Sequence, residues 1–70
     1  MAINDTRFYD KNGTEIGVGD IISYTTHANI ECRGLVVFDP RCEGNMCVFD
    51  KCLKYIVENY NNITVEKSFY

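Results

Sequence analysis

The sequence predicts an α+β fold, mainly β, in which about five short strands surround one core and a single short helix, about 51–60, precedes the last strand. Three observations lead there. The chain has 70 residues, room for one core, so 1–70 is one domain. Its apolar residues fall in short runs rich in β-branched and aromatic side chains, separated by Asn, Gly and Pro. One stretch alone carries extended helical spacing.

The first turn is Asp10-Lys11-Asn12-Gly13, because Asn-Gly tolerates the positive φ angles of tight turns and lies between Phe8-Tyr9 and Ile16. An extended arm is expected around 14–18. After Gly17-Val18-Gly19-Asp20, the run Ile21-Ile22-Ser23-Tyr24-Thr25 contains no strong helix former and reads as a strand. His27-Ala28-Asn29 is polar enough to turn the chain. From Ile30 to Phe38 the pattern alternates and places Ile30, Cys32, Gly34, Val36 and Phe38 on one face.

Pro40 and Gly44 mark 39–45 as a loop, and Met46 to Phe49 follows as a short strand. Asp50 stands where a helix N-cap belongs. Over Lys51 to Tyr60, Leu53, Ile56, Val57 and Tyr60 follow the i, i+3, i+4, i+7 spacing of one helical face. Asn61-Asn62 can supply a left-handed terminating residue, and 63–69 alternates again as the last strand. Short strands, tight turns and one helical segment before the final strand fit a small SH3-like curled barrel, whose closure limits exposed edges.

Composition narrows function. Hydrophobic residues make up 46%, with five tyrosines, four phenylalanines and one proline, which is globular rather than disordered. The N-terminal stretch lacks a basic start followed by an apolar run, and no segment has the length of a membrane span, so an intracellular chain with no membrane association is expected. Net charge is −3, and the seven lysines and arginines are scattered singly, which disfavours direct nucleic-acid binding. Gly13, Gly17 and Gly19 lack the Lys-Ser/Thr and following helix of a phosphate-binding loop. The single histidine, His27, could serve a cysteine as a base, but a turn position is weak ground for catalysis, and His27 is expected to face solvent. The chain is expected not to be an enzyme. Tyr9, Tyr24, Tyr55, Tyr60 and Tyr70 are numerous for this length, and tyrosines often anchor protein interfaces.

Cys32, Cys42, Cys47 and Cys52 are spaced C-x9-C-x4-C-x4-C, without a close C-x2-C knuckle. Four thiolates would complete a tetrahedral structural zinc, and small domains often need such a supplement. A regular hairpin centred near residue 42 would place Cys32 opposite Cys52 but roughly 16 Å from the level of Cys47, at about 3.3 Å per residue. One site would then require the loop to fold back, or His27 to replace Cys32 as ligand, leaving Cys32 in the core. Reduced thiols, a structural zinc on these cysteines, and disulfides all stand as readings of this pattern.

The stretch from Asp10 to Ile22, Asp10-Lys11-Asn12-Gly13-Thr14-Glu15-Ile16-Gly17-Val18-Gly19-Asp20-Ile21-Ile22, resembles the D-x-N-G-x-E-I-x-x-G-D-I signature of the YopX-like proteins of phages and prophages. Gly34 to Asp39 and Asn62 to Val65 resemble that family's central and last strands more loosely. The family's Ile-Gly-Asn ending is replaced by Glu66-Lys67-Ser68. The resemblance implies a small accessory protein of a phage, acting in the host cytoplasm. By analogy with phage anti-CRISPR proteins, which are short, acidic and without catalytic residues, it implies an inhibitor that binds a host protein such as a CRISPR-associated nuclease. A nucleic-acid-binding accessory protein and a phage structural or assembly subunit are the alternative classes. Oligomeric state is open.

Overall fold

A computed structural model of the chain describes residues 6–67. Five strands form one antiparallel sheet in the order β4-β3-β2-β1-β5, with β1 at Ile21–Thr25, β2 at Glu31–Phe38, β3 at Met46–Val48, β4 at Lys51–Cys52 and β5 at Asn61–Lys67. The helix α1, Leu53–Asn59, lies between β4 and β5. This is the expected mainly-β α+β class, five antiparallel strands in one sheet with one helix before the last strand.

The sheet wraps a core drawn from nearly every element. Ile16, Ile22, Val36, Val48, Leu53 and Ile56 are almost fully buried, with Phe8, Tyr24 and Ile63 around them. Ile22 and Tyr24 enter from β1 and face the same side as their β2 partners Gly34 and Cys32. Leu53 and Ile56 carry the buried face of α1, while Val57 and Tyr60 pack at its margin, as the helical spacing predicts.

Residues 10–22 fasten the sheet. Gly13 adopts φ +82 in the turn after Asp10. The Asp10 carboxylate, buried, accepts from the backbone N–H groups of Asn12 (2.9 Å), Thr14 (2.8 Å) and, across the fold, Val65 (2.9 Å). Lys11 donates its backbone N–H to the Ile63 carbonyl at 2.8 Å, so the turn occupies part of the β5 edge. The expected extended arm is anchored at both ends: Glu15 bridges to Tyr9, and Gly17 donates its N–H to Asp20 at 2.8 Å.

Four expectations are corrected. Asp50 is not the helix N-cap, and the helix does not begin at Lys51: Lys51 and Cys52 pair with Val48 and Cys47 as β4, and Cys52 takes the N-cap position without a side-chain hydrogen bond. The hairpin claims these two residues because Phe49, at φ +56, enables a two-residue turn through Phe49-Asp50. Ile30 and Phe38 do not share the buried face of β2; both are exposed, because they lie beyond the core layers at either end of the strand. Asn62 is left-handed as expected (φ 57), but inside β5, near a break in the β1–β5 register, and not as the helix terminator; Tyr60 caps the helix. The last strand begins two residues early, and the remainder of its expected span, 68–69, lies outside the described residues.

Candidate interaction surface

One end of the sheet gathers the chain's chemistry-bearing groups. The loop 39–45 leaves β2 and returns as β3, and the β3–β4 hairpin folds beside it. Asp39 organises the loop. Its Oδ1 accepts from the Arg41 backbone N–H (3.0 Å) and Nε (3.1 Å), and its Oδ2 accepts from Nη2 (3.0 Å). These bonds from Arg41 hold the Asp39 carboxyl at about 2. Asp39 also donates its N–H to the Asn45 carbonyl at 2.9 Å, which closes the loop.

Three further contacts clamp the loop onto the fold. Gly44 adopts φ +78 and sits so close to Phe8 that a Cβ would meet Phe8 Cε2 at 2.6 Å. Lys54 Nζ reaches Glu43 Oε1 at 3.1 Å, joining loop to helix. Cys42 and Cys52 form a disulfide, with their Cα atoms 5.5 Å apart.

Cys32 and Cys47 are free thiols. Cys47 is buried and donates its thiol to the Phe49 carbonyl at 3.8 Å. Burial pushes the Cys47 thiol up, and the nearby Asp39 carboxylate pushes it the same way. Cys47 pairs with both Val37 and Cys52, while Cys32 pairs with Tyr24, five residues from Val37 along β2 and so roughly 16 Å away. The structure thus brings Cys42, Cys47 and Cys52 together and leaves Cys32 at the far end of the strand. The expected four-cysteine zinc site is not assembled in this arrangement. Among the described residues, no group of three or more His, Cys, Asp or Glu is placed to hold a metal ion.

A shallow groove runs beside the loop, bordered by Val37, Phe38, Arg41, Cys47, Phe49 and Asp50. Phe38 is 64% exposed and Phe49 65%, the two most exposed large apolar side chains described. Leu35 and Val37 are exposed on the outer face of β2, opposite in parity to Phe38. Alternation along the strand could not reveal Phe38 or Phe49 as surface residues, because parity assigns a face and not the extent of the core.

A second, aromatic cluster joins α1 to β1. Tyr24 and Tyr60 stack with ring centres 5.3 Å apart and planes 3° from parallel. His27 and Tyr55 meet Tyr60 edge-on at 5.4 and 5.7 Å, and Lys51 Nζ lies 5.8 Å from the Tyr55 ring centre. His27 is exposed at its turn, as expected. Burial pushes the Tyr24 hydroxyl up, so it stays protonated and its ring serves as core. Tyr70 lies outside the described residues.

Among the described residues, no helix is long and apolar enough to cross a membrane. Comparison with protein-family models, curated proteins and solved structures returns no match.

Proposed function

We propose that the chain is a non-catalytic binding protein that inhibits a host defence factor by docking on it. In its specific form it is a phage anti-CRISPR protein that occupies a working surface of a CRISPR-associated nuclease or its complex in the host cytoplasm. The observation that carries the reading is the pair of exposed phenylalanines, Phe38 and Phe49, beside a groove whose loop is held by a disulfide, an ion pair and a packed glycine. Aromatic side chains on a rigid frame lose little entropy on binding and are the residues that most often dominate interfaces. The resemblance of residues 10–22 to YopX-like phage proteins supports the provenance, and the net charge of −3 suits the basic surfaces with which nucleases hold nucleic acid.

The test is a cleavage assay with the purified host nuclease and its guide, with and without the protein, alongside sedimentation of the mixture. Inhibition together with a stable complex is expected. Full cleavage and no complex with any nuclease of the host's defence systems would sink the reading.

The exposed Tyr55 and half-buried Tyr60, which meet edge-on, favour a second reading: a single-stranded nucleic acid stacking on these rings. A salt-sensitive mobility shift of labelled single-stranded DNA would favour it, because phosphate binding releases counterions.

A further inference from the structure

We propose that Cys42, Cys47 and Cys52 form an intramolecular thiol–disulfide exchange site, in which Cys47 displaces Cys42 from Cys52 and moves the disulfide from the loop into the β3–β4 hairpin. This goes beyond the binding function and does not depend on the partner's identity.

The geometry rests on the ladder. Cys47 and Cys52 are directly opposite in an antiparallel pair, so their side chains share one face of the sheet. Opposed residues in such a pair have Cα atoms about 4.5–5.5 Å apart, inside the 4.4–6.8 Å that a disulfide spans. Cys52 therefore has two cysteines within bonding reach: its present partner Cys42, with Cα atoms 5.5 Å apart, and Cys47 across the hairpin. Asp39, Arg41 and Asp50 line both the groove containing Cys47 and the adjoining one containing Cys42 and Cys52, which places the three sulfur-bearing residues around one set of neighbours.

The step balances without an outside oxidant. Cys47 gives its proton to solvent, and its thiolate forms the Cys47–Cys52 bond as the Cys42–Cys52 bond breaks. Cys42 leaves as a thiolate and takes up a proton. One disulfide and one thiol remain throughout. The exchange unlinks loop 39–45 from β4, while the Gly44–Phe8 packing and the Glu43–Lys54 pair still hold Cys42 nearby, so the reaction reverses readily.

Asp39 and Asp50 disfavour the thiolate and Arg41 favours it, while burial keeps Cys47 protonated near neutrality. Exchange is accordingly slow at neutral pH and accelerates about tenfold per pH unit until Cys47 titrates.

The experiment uses the full chain carrying Cys32→Ser, so that only these three cysteines remain. Samples held between neutral pH and about pH 9 are quenched in acid, and free thiols are labelled with a maleimide. Trypsin releases 42–51 with both Cys42 and Cys47, and fragmentation of that peptide locates the label. Label on Cys47 alone is expected at first, with label on Cys42 growing faster as the pH rises and at a rate independent of protein concentration. Label confined to Cys47 at every pH overturns the proposal, as does a rate that rises with protein concentration. A second variant, Cys42→Ser in the same background, is expected to close a Cys47–Cys52 disulfide in oxidised glutathione. Two free thiols, or glutathione adducts only, would overturn it equally.

Discussion

Asp10 shows how much of a small fold can hang on one side chain. Burial raises its carboxyl, but the backbone N–H groups of Val65, Thr14 and Asn12, with the nearby charge of Lys11, outweigh it and leave the pKa below the ordinary 3.8. Asp10→Ala leaves three backbone donors without their acceptor and is expected to cost about 3 kcal/mol in denaturant unfolding. Because the folded pKa is depressed, the carboxylate's contribution is fully present above the unfolded pKa and is lost as pH falls through the folded one. Asp39, at about 2, loses its contribution in the same sense below 3.8. Acid titration should therefore narrow the stability gap between wild type and Asp10→Ala; a gap constant down to pH about 2 would refute the role. Gly34 is the second sensitive residue, since a Cβ there would lie 2.6 Å from Val48 Cγ1 and 2.7 Å from Phe49 Cε2. Gly34→Ala is expected to destabilise by about 1–3 kcal/mol in the same measurement. The turn at Asp10 was legible because Asn-Gly is a local signal. Its bond to Val65 was not, because nothing local announces a partner 55 residues away.

Among the elements, strand β1 and the face of α1 were readable because each is set by its own residues: a β-branched run in one, a repeat of Leu53, Ile56, Val57 and Tyr60 in the other. The start of the helix was not, because Lys51 and Cys52 are claimed by pairing with β3, a tertiary contact that outweighs Asp50's capping preference. The cysteines failed to read for the same reason, since which of four thiols meet depends on how loop 39–45 folds back. That loop, with the β3–β4 hairpin, depends on the Cys42–Cys52 bond, which joins residues ten apart. Chain entropy alone assigns such a crosslink about 3 kcal/mol. At roughly 4–8 °C per kcal/mol for a domain of this size, reduction is expected to lower the melting temperature by about 12–24 °C in a calorimetric scan with and without reductant. An unchanged melting temperature would mean that Gly44 packing and the Glu43–Lys54 pair already hold the loop unaided.

At the scale of the whole molecule, the sheet's two sides are unequal. Its inner face is filled by side chains from five elements, while near loop 39–45 the apolar side chains Leu35, Val37, Phe38 and Phe49 stay at least partly in water. A chain this small has little stability to spare, so apolar groups left outside the core invite a partner more than they serve folding. Phe38 separates these roles cleanly. It is 64% exposed at the end of β2 and contributes little to the core, so Phe38→Ser should change folding stability by no more than about 0.5 kcal/mol. If the groove beside it is where a partner docks, the same substitution removes an aromatic anchor and should weaken binding about tenfold or more. Arg41→Ala supplies the contrast, because it loosens the Asp39 loop without removing apolar area. Titration calorimetry on the partner captured by the nuclease assay, set beside denaturant curves for the variants, reads both quantities. Lost affinity at unchanged stability in Phe38→Ser would place the interface on this surface. Unchanged affinity in Phe38→Ser, with loss instead in Tyr55→Ser, would move it to the aromatic cluster between α1 and β1.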